Sequence, residues 1–260
     1  ILINYRGGSK TFPHISITDI LNNRVDPSRL KDKIVLVGYS RGAYAVRSLA
    51  GVVDLVGLVE ANNATVRAVR QAYRHYRTGA RSPAAQRFRE IYCHTDVQIE
   101  AVAVWDTVKA LGLRLPIVWR WAQAQHDYHN HALGNHVRHG FHALGMDERR
   151  EAYAPVMWVC PIGWRGHMEQ VWFKGNHGDV GGQVWEYPFA RPLANIPLVW
   201  MLDKLTDCGV PLPEGWRDRF PQDVTARSMG NWRGWSKIFL SRRRRIIGRD
   251  ISERYHDSVP

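Results

Sequence analysis

Three residues of types that hydrolytic enzymes combine, Ser40, Asp106 and His177, each come shortly after a short apolar segment of the chain. Serine is a weak nucleophile until a base removes its proton, and histidine titrates near neutral pH and can carry that proton. A buried carboxylate holds the imidazole in one tautomer and stabilises the imidazolium. The residue types and their order therefore predict a nucleophile, an acid and a base.

Ser40 lies at the centre of the pentapeptide GYSRG, which follows an apolar run at 34–37. The run predicts a buried strand, and 43–50 predict a helix with Gly51 near its end. Strand, G-x-S-x-G and helix together are typical of a nucleophile elbow, in which glycines allow a sharp turn. We expect the backbone N–H of Arg41 to form half of an oxyanion hole. The alternative is a turn in which Ser40 only caps the helix.

Asp106 directly follows 97–105, and His177 lies beyond 169–173 on a glycine-rich loop. Both segments predict strands, and functional groups of open parallel sheets collect at the carboxyl ends of strands. Alternatives stay open: Asp106 could cap a following helix, and His177 could be a hydrogen-bonding loop residue. Asp179 competes as the acid, but a structural role is favoured because it lies two residues from His177 on one tight loop.

The elements that must position these residues predict an α/β fold with a mostly parallel sheet and helices on both faces. Further predictions are a short strand at 1–5, a short helix at 15–21, a helical region over 52–92 that includes the apolar-periodic segment 58–69, a helix at 193–205, and irregular structure over 210–260.

Histidines cluster between 126 and 142, namely His126, His129, His131, His136, His139 and His142. The favoured interpretation is a partly exposed helical segment with satisfied histidines, on which His139 and His142 lie one turn apart. A metal site is the minor alternative, because no cysteine and no H-E-x-x-H pattern accompanies the cluster. We therefore expect neither a metal nor a cofactor.

The composition favours one large core: the chain has 260 residues, is 45% hydrophobic and contains 11 Trp. It has no apolar run long enough to span a bilayer and no leader-like start, so we expect no transmembrane segment or signal peptide. The chain has three cysteines, an odd number without metal-type spacing: Cys93, Cys160 and Cys208. This favours a reducing compartment over a disulfide framework. These features predict a cytoplasmic location in the producing cell.

The formal net charge is +12, which favours anionic partners. No nucleic-acid motif accompanies the charge, so a nucleic-acid partner is not expected. The densest basic run is 242–245. It is interpreted either as a solvated basic tail or as a segment attracted to anionic lipid headgroups, which would place the protein peripherally on a membrane surface.

Four segments, GYSRGAYAVRSLAG (38–51), VWDTVKALG (104–112), FHALGMDERR (141–150) and EQVWFKGNHGDVGG (169–182), together resemble one family. It is the uncharacterised alpha/beta hydrolase domain family that includes bacterial type VI secretion phospholipase effectors, and the resemblance runs from about residue 33 to the C-terminus. It implies Ser40 as nucleophile, Asp106 as acid and His177 as base. It also implies hydrolysis of phospholipid esters and secretion into a target cell. The acidic and basic residues of 147–150 are expected to form a structural ion pair.

The first 38 residues depart from that family, because they lack the Asp-Gly-Thr element with which its members usually open. They resemble the end of a CHASE-type extracellular sensor domain. We therefore predict a sensor-like segment at 1–38 joined to a hydrolase-like domain at 39–260, with the first family strand and the second oxyanion donor missing. Losing one such donor costs about 3 kcal/mol of transition-state stabilisation.

The predicted function is a serine esterase of phospholipase type that acts through Ser40, Asp106 and His177. The alternative is a catalytically impaired sensor or interaction module, formed by fusing a sensor tail to a truncated hydrolase. A basic nucleic-acid binder is a third and weaker hypothesis.

Overall fold

The computed structural model describes residues 2–5, 14–15, 33–108, 132–160, 162–232 and 240–259. The strands in this part of the chain are β1 Leu2–Tyr5, β2 His14–Ile15, β3 Lys33–Tyr39, β4 Leu58–Val59, β5 Cys93–His94, β6 Ile99–Trp105, β7 Val137–Gly145, β8 His167–Phe173 and β9 Glu253–Tyr255. The α-helices are α1 Arg41–Leu55, α2 Val66–Arg77, α3 Pro83–Tyr92, α4 His177–Val180 and α5 Arg191–Asp207.

The main sheet has the order β2-β1-β3-β6-β7-β8-β9 across the described residues. The run from β3 to β9 is parallel throughout, whereas β1 pairs antiparallel with β3 and β2 antiparallel with β1. Strands β4 and β5 form a separate antiparallel pair. The expected mostly parallel α/β sheet is confirmed.

Each face of the sheet carries its own apolar core. Alternation along β3 sends Ile34 and Leu36 to one face, where they pack with Val46 of α1, and Val35 to the other face, where α5 supplies Trp200. Strand β6 has no exposed residue, which explains its nearly continuous apolar sequence. Helices therefore cover both faces, as expected.

Helix α1 continues past Gly51 to Leu55, so the expectation that the helix ends near this glycine is wrong. A Cβ built on Gly51 would lie 2.8 Å from the ring of Tyr76 in α2. The glycine permits this close approach between two helices, and packing overrides its weak helix propensity.

The helix expected over 58–69 begins only at Val66, where Thr65 caps it by accepting a 3.2 Å hydrogen bond from the Ala68 N–H. Before it, Leu58–Val59 pairs with Cys93–His94. The hydrogen bonds of the 58–59 backbone are thus made with a strand more than thirty residues later in the chain. Local apolar periodicity therefore does not decide the structure there.

The histidine-rich segment is a strand over Val137–Gly145, so the helical prediction is wrong for its described part. In a strand, His139 and His142 point to opposite faces rather than to one helix face. The cluster members His126, His129 and His131 lie outside the described residues. So do 16–21 of the expected early helix, whose first residue, Ile15, ends β2.

The C-terminal region is mostly irregular, as expected, but Glu253–Tyr255 adds a parallel edge strand next to β8. Before it, the N–H of Arg243 donates to the carbonyl of Arg149 over 2.7 Å. These contacts tie 240–259 to the carboxyl half of the sheet. Among the described helices, none has the length and apolar character that a bilayer span requires.

Candidate active site

Ser40 forms the turn between β3 and α1 in a strained conformation, with φ 58° and ψ −122°. L residues rarely adopt positive φ, and such strain persists only when the surroundings hold it in place. Here the Ser40 N–H donates to Trp105 O over 3.0 Å, and the Ser40 carbonyl accepts from Val108 N over 3.3 Å. Both partners flank Asp106, so the same contacts fix the two turns against each other.

The two glycines of the GYSRG motif have different roles. A Cβ on Gly38 would lie 2.7 Å from both the Ala43 Cα and the Gly42 carbonyl oxygen, whereas a Cβ on Gly42 would meet nothing within 4 Å. Gly38 therefore permits the strand to pass close to the helix. The expectation that glycines permit close packing at this turn holds for Gly38 but not for Gly42.

Asp106 directly follows β6, has φ 41° and is completely buried. Its N–H donates to Ala143 O over 2.8 Å, and its Oδ1 accepts from Gly145 N over 3.3 Å. Burial raises the pKa of this carboxyl, but the charge of Arg245 and hydrogen bonds from His177 and Arg245 outweigh burial and hold the pKa well below its usual range. The carboxylate is therefore ionised inside the protein.

The structure brings His177 between the other two predicted residues. Its Nδ1 lies 2.6 Å from Asp106 Oδ2, and its Nε2 lies 2.9 Å from Ser40 Oγ. Because an ionised carboxylate can only accept, Nδ1 carries the proton and Nε2 is left to accept the serine hydroxyl proton. This geometry permits a serine nucleophile with an adjacent, oriented base.

His177 begins the short helix α4, and Asn176 and Asp179 form a capping box around its start. The Asp179 carboxylate also accepts from Ser228 Oγ and, over 2.9 Å, from Met229 N. Asp179 thus holds the loop together, while the imidazole Nδ1 contacts Asp106 instead. These contacts match the structural role favoured for Asp179 from the sequence.

The motif at 147–150 forms the expected ion pair and also supports the histidine. Arg150 Nη2 lies 2.6 Å from Glu148 Oε2, and the same oxygen accepts from the His177 N–H over 3.2 Å. Burial raises the pKa of Glu148, but hydrogen bonds and charge from Arg150 hold it below its usual range.

Two aromatic rings also pack against the histidine: the rings of Tyr39 and Tyr153 have their centres 4.8 and 4.7 Å from that of the His177 imidazole. The imidazole is thereby fixed on several sides.

Arg41, the predicted oxyanion donor, is the first residue of α1 and has an exposed side chain. The N–H groups of a first helical turn have no intrahelical acceptor, so that of Arg41 is available beside Ser40. The segment 6–13, which follows β1, lies outside the described residues. The expected absence of a second oxyanion donor stays a prediction.

Sequence reasoning missed Arg245, whose side chain is only 4% exposed. Its Nη1 lies 2.5 Å from Asp106 Oδ1 and its Nη2 lies 2.8 Å from Asp106 Oδ2. The solvated-tail interpretation of 242–245 is wrong for Arg245, and Arg242 packs its guanidinium 3.5 Å from the ring centre of Trp232. The neighbouring Arg243 and Arg244 are exposed. Nothing in the local sequence distinguishes these four residues.

The described histidines of the cluster have separate partners. His136 donates through Nδ1 to Val97 O over 2.9 Å, and His142 Nε2 accepts from Thr107 N over 3.1 Å. Burial, with help from the charge of Arg47, lowers the pKa of His142 to about 3, so it is neutral. No group of three or more potential metal ligands occurs among the described residues.

A parallel sheet covered by helices on both faces, with a strained serine at a strand-to-helix turn, defines an alpha/beta-hydrolase-like protein. The family model for the type VI secretion system phospholipase effector Tle1-like catalytic domain matches residues 19–204, and the chain belongs to this family. Membership supports phospholipase or esterase activity in general. Comparison with curated proteins and with solved structures finds no match. The match begins inside the sensor-like segment, and the division of the chain at residue 38 stays a prediction.

Proposed function

We propose that the protein is a serine hydrolase that cleaves the acyl esters of phospholipids. The observation that carries the proposal is the continuous line of hydrogen bonds from Ser40 Oγ through His177 to the buried Asp106 carboxylate. Family membership supports phospholipids as the substrate class and a target cell as the place of action.

In the proposed reaction, His177 Nε2 takes the Ser40 proton as Oγ attacks the ester carbonyl carbon. Asp106 stabilises the imidazolium, and the Arg41 N–H donates to the oxyanion. The imidazolium then gives its proton to the departing alcohol oxygen, which leaves an acyl ester on Ser40. Water, deprotonated by the same imidazole, attacks this ester and releases the fatty acid with the serine hydroxyl restored.

We also propose that the protein docks on the phospholipid surface through the segment that follows α4. Trp185 is 84% exposed and lies two residues after Gln183, which accepts a hydrogen bond from the Tyr39 hydroxyl beside His177. An exposed tryptophan near the site suits the membrane interface, and the net charge of +12 suits anionic headgroups.

The first experiment treats the purified protein and Ser40→Ala with a fluorophosphonate probe. We expect labelling of the wild type and its loss in Ser40→Ala. Ser48→Ala is the matched control, because Ser48 lies on α1, the helix that follows Ser40, and its hydroxyl donates to the Tyr44 carbonyl rather than to a base. Absence of labelling in folded wild-type protein would overturn the proposal and favour the impaired interaction module.

The docking step is tested with vesicles that contain phosphatidylglycerol. Trp185→Ala should lower turnover of vesicle phospholipid severalfold and leave hydrolysis of a soluble short-chain ester unchanged. Ile251→Ala is the control, since Ile251 is at least as exposed as Trp185 but lies two residues before β9, away from the carboxyl end of the sheet. Equal loss in both variants would contradict docking near the site.

A further inference from the structure

We infer that Arg245 is a positioning residue, which clamps the Asp106 carboxylate so that one of its oxygens stays aimed at His177 Nδ1. The inference deepens the proposed function and rests on it. It concerns a residue of 205–260, the part of the chain that the family match leaves out.

The clamp is two-pronged. Arg245 Nη1 donates to Asp106 Oδ1 and Nη2 donates to Oδ2, which is the oxygen that also accepts from His177 Nδ1. A planar guanidinium fixes the plane of a carboxylate that it meets with both prongs. Rotation of the Asp106 side chain, which would carry Oδ2 away from the imidazole, therefore breaks two charge-assisted hydrogen bonds.

The guanidinium is itself anchored from outside the carboxylate. Nη1 also donates to Gly145 O over 2.6 Å, and Nη2 donates to Tyr153 O over 2.7 Å. Gly145 ends the strand beside β6, and the Tyr153 ring packs against His177. The arginine thus holds the carboxylate at a fixed position relative to two backbone carbonyls on either side of the histidine.

Charge gives the clamp a second effect. The completely buried Asp106 would have a raised pKa if burial acted alone, and the Arg245 charge is the largest contribution that opposes burial. Without that charge, the carboxylate takes up a proton at higher pH than in the wild type. A protonated Asp106 no longer stabilises the imidazolium, so activity is then lost at higher pH.

The test compares Arg245→Gln and Arg245→Lys with the control Arg244→Gln, whose side chain is exposed. In Arg245→Gln we expect kcat to fall between about tenfold and a hundredfold, the size of effect that a small misplacement of a reacting group produces, with KM within about twofold. The acid limb of the kcat/KM profile should move to higher pH. Arg245→Lys keeps the charge and should recover the acid limb but only part of kcat. Arg244→Gln should resemble the wild type.

A second readout does not depend on turnover. The proton between His177 Nδ1 and Asp106 gives a far-downfield proton resonance, which should shift or broaden in Arg245→Gln and stay in Arg244→Gln. Wild-type protein that shows this resonance but no fluorophosphonate labelling would remove the proposed function and leave the clamp standing. A folded Arg245→Gln with wild-type kcat and an unchanged resonance would overturn the clamp. If Arg245→Gln does not fold, a wild-type kcat in Arg245→Lys overturns it equally.

Discussion

The two ends of the sheet each hold a carboxylate among cations, yet they are built differently. At the carboxyl end, Asp106 is completely buried and meets Arg245, whose side chain is 4% exposed. At the amino end, Glu169 of β8 lies between Lys204 and Arg254, and the Arg254 side chain is 45% exposed. The first arrangement buries both the carboxylate and its cation, whereas the second buries the Glu169 carboxylate but leaves its cationic partners partly exposed.

Backbone strain follows the same division. Among the described residues, three non-glycine residues have positive φ, and two of them, Ser40 and Asp106, lie at the carboxyl end. Strained backbone and buried charge both lower stability unless other contacts compensate, and both recur at sites of chemistry. The comparison is consistent with the proposal that the carboxyl end carries the reaction, whereas the amino end holds a structural group of ion pairs whose cations reach solvent.

The largest expected difference is between Asp106→Asn and Glu169→Gln. On the proposed mechanism, Asp106→Asn should lower kcat about ten-thousandfold, because the imidazole loses its orienting charge. It should also destabilise the fold by about 3 kcal/mol, because the Arg245 charge is left buried without a counter-charge. Glu169→Gln should keep kcat and destabilise the fold less than Asp106→Asn does, because its partners Lys204 and Arg254 stay partly in contact with water. Ester kinetics and urea unfolding of both variants check this, and equal effects would erase the distinction between the two ends.

The next largest difference is in the stability effects of alanine substitutions at Gly38 and Gly42, the two glycines of the elbow. Gly38→Ala places a Cβ 2.7 Å from backbone atoms of the α1 start, which cannot move without opening the turn. We expect a loss of about 2 kcal/mol and of fluorophosphonate labelling. Gly42→Ala meets nothing and should gain up to about 1 kcal/mol from helix propensity. Thermal unfolding measures both, and a tolerated Gly38→Ala would contradict the close approach.

The two ends should also lose stability in different pH windows. The folded pKa of His142 is about 3, below its ordinary 6.5, so the unfolded state binds the proton first and stability falls as pH drops from about 6.5 towards 3. The folded pKa of Glu169 is about 2, below its ordinary 4.5, because His167, Lys204 and Arg254 outweigh burial, so its contribution is lost from about 4.5 towards 2. In His142→Gln, the urea midpoint should depend less on pH than in the wild type at pH values above 5. In Glu169→Gln, the pH dependence of the urea midpoint should weaken only below about pH 4.5.

The smallest expected effect is a gain in the stability of the fold. Ser40→Gly should stabilise the protein by about 1 kcal/mol, since glycine adopts φ 58° without strain, while removing the nucleophile. The Ser48→Gly control lies inside the regular part of α1 and should instead destabilise by about 1 kcal/mol. Thermal unfolding of the two variants compares them, and destabilisation by Ser40→Gly would show that the turn stores no strain.

Local sequence patterns predicted the elements that hold the candidate catalytic residues. Strands β3, β6 and β8 and helix α5 each form near the segments that their apolar runs predicted, because burial on both faces selects continuous apolar residues. The same patterns failed at 58–65 and at 137–145. There, distant strands supply the hydrogen bonds, and local periodicity carries no record of distant partners.

The sequence by itself determined the elbow around Ser40, the order of the three candidate residues and the family resemblance, since each can be read from local motifs and from their order along the chain. Only the tertiary structure decided which of four consecutive arginines reaches Asp106 and that His142 supports the turn after it. It also decided that Glu148 holds the His177 backbone. The physical reason is that a buried charge or polar group is stable only where its partners converge, and these partners come from segments far apart in sequence.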